Sequence, residues 1–303
     1  GESDLWNYTR KLGVIRKSIY GVDIQPIAVE ISKLRFFLSL VVDEKVDDKK
    51  KNRNIEPLPN LEFKFVCANT LIALPKDEAE LFDDLRDIDA LKNLRDKYFT
   101  ASGHAKLKVE NEFLSTQHKM LMRSMGWGKA DTKAMKLSQW EPFKNKSTGW
   151  FDPEWMFGLK GGFDIVVANP PYLNAWSMEQ ENPFAREAIK NSLSGYSILT
   201  GHWDLYIAFI AKGHQLLCEH GSLSYIIPNP ILREKYATET RRFLLEDMQL
   251  RNLLEFNDVN VFANVARRTT VLIAQKNTEH DNYPIQIFSN DNDRIVLSNC
   301  VKK

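Results

Sequence analysis

The 303 residues are 43% hydrophobic and 27% charged, enough chain to bury about 75% of the surface exposed when unfolded. With 11% aromatic residues and only 14 Gly and 12 Pro, a disordered, collagen-like or low-complexity chain is excluded. The 41 Lys and Arg balance 40 Asp and Glu, so net charge gives no sign of nucleic acid or a membrane surface, and any polyanion site must be a local patch. Cys67, Cys218 and Cys300 lie far apart without a CxxC pair, and the six histidines lack ligand spacing. This argues against a disulfide framework or a metal site and fits a reducing compartment. The opening GESDLWNYTRKLG has no signal-peptide core, and no apolar stretch approaches the roughly 18 residues of a spanning helix, so a soluble cytoplasmic protein without a membrane partner is expected.

In chain order, residues 18–23 (SIYGVD) are a short apolar run turning polar at Asp23, and Pro26 stands where a first helical turn would begin. Ile27, Ile31, Leu34, Leu38 and Val41 recur at spacings of three and four and predict an amphipathic helix ending near Asp43. A charged loop follows, and then EFKFVCAN reads as a second strand ending at Asn69. Between about residues 75 and 126, Leu81, Leu85, Ile88, Leu91, Leu94 and Tyr98 form one helical stripe, and Leu107, Leu114, Leu121 and Met125 form another. TASGH (100–104) separates them, which predicts an antiparallel helical hairpin serving as a packing or spacer element.

Residues 127–160 read as irregular. GGFDIVVANPPY then opens a strand, with Phe163, Ile165, Val166 and Val167 as the continuous apolar run of a strand buried on both faces. A helix over about 203–218, the strand GSLSYIIPN, a helix over about 236–247, and the strands LRNLLEF and TTVLIAQ complete the series. Strands alternating with helices predict a doubly wound, mostly parallel α/β sheet.

In such a sheet, ligands bind beyond the carboxyl ends of the strands, and the first polar groups there are Asp23, Asn69, Asn169 and Asn229. The most informative is Asn169-Pro170-Pro171-Tyr172. Two prolines fix two φ angles and remove two donors, so the Asn169 side chain and the Pro170 carbonyl can be rigid acceptors beside the flat Tyr172 ring. That suits a planar group bearing an NH₂, such as the exocyclic amine of a nucleobase. The bland alternative is a stiff polyproline-type turn.

FDIVVANPPY resembles the catalytic motif of amino-group methyltransferases that use S-adenosylmethionine. IYGVDIQPIAVEISKLRFFLSL is similar to the segment preceding it in adenine-specific DNA methyltransferases of restriction-modification systems, particularly the fused type II restriction-and-methylation enzymes. DLYIAF, GSLSYIIPN and VNVFANVARRTTVLIAQK match in the same order, so the resemblance spans most of residues 18–277. It implies a Rossmann-like fold and transfer of a methyl group to the exocyclic amine of an adenine flipped from double-stranded DNA.

By the same resemblance, Asp23 holds the cofactor ribose, while Ile24 walls and Asn69 contacts the cofactor adenine. Asn169 and the Pro170 carbonyl accept the target amino hydrogens, Pro171 stiffens the corner, Tyr172 stacks on the base and Phe262 packs on its other face; Arg267 and Arg268 are candidate phosphate contacts. Neither a metal nor a covalent enzyme intermediate is required.

The family's Gly-rich cofactor turn has no counterpart here, since Gly126-Trp127-Gly128 follows a helix. The expectation is therefore a fragment inactive by itself, with the central first strand upstream and a target-recognition domain downstream in the same polypeptide. The expected organisation is an incomplete methyltransferase domain over 1–74 and 151–277, a helical hairpin insertion over 75–150 and the strand-like start of a following region over 278–303. NPPY also serves methyltransferases of release-factor glutamine or RNA bases, Asp23 alone would suit a nicotinamide oxidoreductase, and a catalytically silent DNA-binding or scaffold segment is a further alternative. Asp152-Pro153-Glu154 with Lys160 is too loose a pattern for a metal-dependent nuclease.

Overall fold

A computed structural model describes residues 2–42, 48–50, 53, 60–75, 82–126, 132–174, 177, 180, 182–256, 268–277, 283–291 and 294–301. The chain divides into two compact units, Gly1–Lys160 and Gly161–Lys303.

The first unit opens with helix α1 (Glu2–Ser18), strand β1 (Gly21–Asp23) and helix α2 (Pro26–Val41), with Pro26 in the first turn where its missing N–H costs nothing. β1 pairs in parallel with β2 (Phe65–Cys67), Asp23 lying opposite Cys67, and the two form a sheet of their own. Ile15, Val29, Leu40, Leu61, Phe65 and Cys67 make one core cluster, joined by Leu12 and Phe36. The expected face of α2 is not the buried one. Ile27, Ile31, Leu34 and Leu38 are exposed, whereas Val29 and Leu40, eleven positions or three turns apart, face the core. Apolar residues occur all round this helix, so periodicity does not select the side that β2 covers.

Helices α3 (Phe82–Thr100) and α4 (Gly103–Gly126) form the expected hairpin. On α3 the predicted stripe holds at Ile88, Leu91, Leu94 and Tyr98, while Leu85 is exposed and Leu81 lies outside the described residues. On α4 it does not hold: Leu107, Leu114 and Met125 are exposed, and the buried line is Phe113, Gln117, Met120 and Ser124. Two members of that line are polar, which hides it from a hydrophobic count. Gln117 is satisfied by donating to Leu137 O at 2.6 Å and Trp140 O at 2.7 Å, so its burial need not be costly.

Phe63 is fully buried at the centre of the aromatic rings of Tyr98, Phe113, Trp140 and Phe143, all with centroids between 5.4 and 5.7 Å. These rings tie the hairpin to the segment leading into β2. The stretch expected to be irregular contains helices α5 (Lys133–Ser138) and α6 (Pro153–Phe157). Asp152 caps α6 through Trp155 N at 2.8 Å, and Glu154 pairs with Lys92 at 3.3 Å, so the loose acidic pattern does local structural work.

The second unit holds a sheet of order β3-β4-β6-β5-β7-β8. Its strands are β3 (Phe163–Ala168), β4 (Leu217–Pro228), β5 (Gln249–Phe256), β6 (Thr269–Gln275), β7 (Pro284–Asp291) and β8 (Arg294–Val301). β3 runs parallel to β4 and β5 parallel to β7, while β6 enters antiparallel between β4 and β5. Helices α7 (Pro183–Ser192), α8 (Leu205–Leu216), α9 (Pro230–Arg233) and α10 (Thr238–Glu246) alternate with the strands. α8 approaches β4 so closely that a Cβ on Gly213 would collide with Leu223 and Tyr225, which is why glycine stands there. Among the described residues β3 stands at one end of this sheet, and Ile165 is 67% and Val167 73% exposed, where the apolar run predicted cover on both faces.

Candidate functional site

The four polar groups expected at strand ends fall in two sheets, Asp23 and Asn69 in the first unit, Asn169 and Asn229 in the second. In the first, the β1–β2 register brings Asp23 and Asn69 to one edge. Asp23 is exposed, and its Oδ1 accepts from Gln25 N at 2.8 Å, a bond that aims the carboxylate past the strand end. Ile24 beside it is 57% exposed, an apolar side chain open to solvent next to a carboxylate. Cys67 Sγ donates to Ile24 O at 3.3 Å, and burial raises the thiol above its usual range. Asn69 is half-buried, its Oδ1 accepting from Leu71 N at 3.2 Å and its N–H donating to Thr148 O at 2.9 Å.

In the second unit, β3 delivers Asn169 exposed, Pro170 buried, Pro171 exposed and Tyr172 half-buried. The corner is thus anchored from inside by one ring of the diproline while its amide faces out. The Tyr172 hydroxyl is buried, and burial raises its pKa, so the phenol stays neutral.

Sequence reasoning missed what holds the next residue. Leu205 N, at the start of α8, donates to Leu173 O at 2.9 Å. That helix start is braced by Tyr236, whose hydroxyl donates to Asp204 Oδ2 at 2.8 Å and lies 3.2 Å from the Tyr206 hydroxyl. The signal was present in DLYIAF, but only the fold brings Tyr236 to it.

At the end of β4, Asn229 N donates to Arg268 O at 3.1 Å. Asn229 Oδ1 is buried with no hydrogen-bond partner among the described residues, and Arg268 is exposed. Phe262 and Arg267 lie outside the described residues. Among the described residues no cluster of His, Cys, Asp or Glu could hold a metal, and no helix is long and apolar enough to cross a membrane.

Residues 17–262, which include both strand-end groups, match the Eco57I restriction-modification methylase model. This chain belongs to that family. Its mixed α/β architecture is the Rossmann-like methyltransferase fold. RM.MjaORFECS2P of Methanocaldococcus jannaschii, named as a candidate type II restriction enzyme and methyltransferase, is 25% identical over 333 residues, covering 89% of this chain and 26% of that protein. The type II restriction enzyme and methyltransferase RM.Eco57I of Escherichia coli is 33% identical over 121 residues, 40% of this chain and 12% of that protein. The Eco57I-family chain therefore spans about a quarter or less of the length of these relatives. Among solved structures, the type IIL restriction-modification enzyme MmeI in complex with DNA aligns over 97% of this chain and 36% of that one, at 13% identity and a TM-score of 0.45.

Proposed function

We propose that this chain carries the catalytic residues of a restriction-modification methyltransferase that moves a methyl group from S-adenosylmethionine to the exocyclic amine of adenine in DNA. The observation that carries the reading is the NPPY corner, with Asn169 exposed at a strand end on a buried Pro170. The Asn169 side-chain carbonyl and the Pro170 carbonyl accept the two amino hydrogens of the base. Drawing on those hydrogens localises the nitrogen lone pair, which is otherwise shared with the purine ring, and favours the tetrahedral nitrogen that attacks in line. Tyr172 offers a ring face for stacking, with Phe262 on the other side of the base.

The exposed Asp23 carboxylate fits ribose hydroxyls as an acceptor, Ile24 fits an adenine face, and Asn69 fits the adenine edge. The cofactor, when bound, supplies an electrophilic sulfonium methyl. In this reading, residues 75–150 are an insertion between methyltransferase segments 1–74 and 151–277, and the rest of a longer polypeptide supplies target recognition.

The test is methyl transfer by the intact protein to duplex DNA, structured RNA and release factor. N6-methyladenine in the DNA digest is the expected product; label in glutamine or only in RNA overturns the substrate assignment. Asn169→Ala abolishes transfer while leaving the melting temperature essentially unchanged, because Asn169 is exposed. Near-normal transfer by that variant removes Asn169 from the reaction.

A further inference from the structure

At the amino ends of β1 and β2, opposite the edge bearing Asp23 and Asn69, the first unit contains a cavity of about 910 Å³. Arg16, Tyr20, Lys64, Phe99, Ser102 and Phe157 are among its lining residues. Lys64 is only 4% exposed, and its Nζ lies 3.6 Å from the centre of the Tyr20 ring and 6.0 Å from that of Phe99. Asp96, which also lines the cavity, pairs with Arg95 at 2.6 Å, and Glu62 pairs with Lys106 at 2.9 Å. Among the described residues, the Lys64 ammonium has ring faces as its charge partners and no carboxylate.

A buried cation compensated only by aromatic quadrupoles is an incomplete arrangement that an anion would complete. Burial alone brings this amine down to about 8, and an anionic neighbour would restore its charge. Arg16, exposed in the last turn of α1, puts a second cation on the same cavity, and Tyr20, Phe99 and Phe157 give it an aromatic wall. The volume is that of a small-molecule site. A lysine only 4% exposed inside such a cavity suits an entering small molecule better than a phosphate on a duplex surface.

We infer that this cavity is a second ligand site, independent of methyl transfer, for a small aromatic anion. Lys64 and Arg16 hold its phosphate or carboxylate, and the rings line its flat body. The test is titration of the 303-residue chain with phenyl phosphate, benzoate, inorganic phosphate and neutral benzyl alcohol, followed by amide chemical shifts or calorimetry.

Saturable binding of the two aromatic anions is expected, with benzyl alcohol at least about tenfold weaker, the size of a lost charge-assisted hydrogen bond. Lys64→Met keeps the apolar stem and loses about tenfold in affinity for phenyl phosphate, and Arg16→Gln loses about threefold. Equal binding of benzyl alcohol, or unchanged affinity in Lys64→Met, overturns the site. Competition by a short DNA duplex would reassign the cavity to nucleic acid. Should Lys64→Met fail to fold, the comparison of charged with neutral ligands and the Arg16→Gln variant decide by themselves.

Discussion

The side chains of the second unit show how burial sets protonation. His214 Nδ1 and the Tyr196 hydroxyl are 2.8 Å apart, with the imidazole packed against the Tyr196 and Phe243 rings. Burial, aided by the charge of Lys276, lowers the histidine from 6.5 to about 4. The unfolded chain takes up this proton near pH 6.5 and the folded chain only near pH 4, so between those values the unfolded state binds more protons. Stability therefore falls as pH drops through that window, by at most about 1.4 kcal/mol per unit from this group. Urea unfolding across the window should show that slope, and His214→Leu should flatten it whatever its effect on absolute stability. An equal slope in the variant would mean that other groups carry the acid sensitivity.

Helix α4 separates burial from hydrophobicity. Met120 is fully buried, whereas Leu107 is 56% and Met125 62% exposed on the same helix. Met120→Ala should destabilise the chain by about 2–5 kcal/mol. Leu107→Ala and Met125→Ala should each stay within about 0.5 kcal/mol. Denaturant midpoints would check both, and a large loss at Leu107 would mean that the hairpin buries its other face. α2 follows the same logic, with Val29 and Leu40 inside and Ile27, Ile31, Leu34 and Leu38 outside. In both helices, what lies opposite decided which of several apolar lines was covered.

At the scale of the molecule, the groups proposed for the cofactor are Asp23, Ile24 and Asn69, which in that reading address only ribose and adenine. The sequence offers no Gly-rich turn after a strand for the methionine part. Calorimetry should accordingly find S-adenosylmethionine binding to these 303 residues weaker than micromolar; micromolar binding would show that other residues receive the methionine group.

The sequence by itself determined the order and type of most elements, from β1 through the α3–α4 hairpin to β6, because strand runs, Pro26 and the stripe from Ile88 to Tyr98 are local signals. It also singled out Asp23, Asn69 and Asn169-Pro170-Pro171-Tyr172, because unusual chemistry at a strand end is visible without coordinates. Only the tertiary structure decided that β3 ends the sheet of the described residues, that β6 runs against β4 and β5, that Gln117 belongs inside, that Tyr236 braces Asp204, and that Lys64 is buried facing a cavity. Each of these depends on a partner distant in the chain, and burial is a property of what arrives from elsewhere, which no window of residues contains.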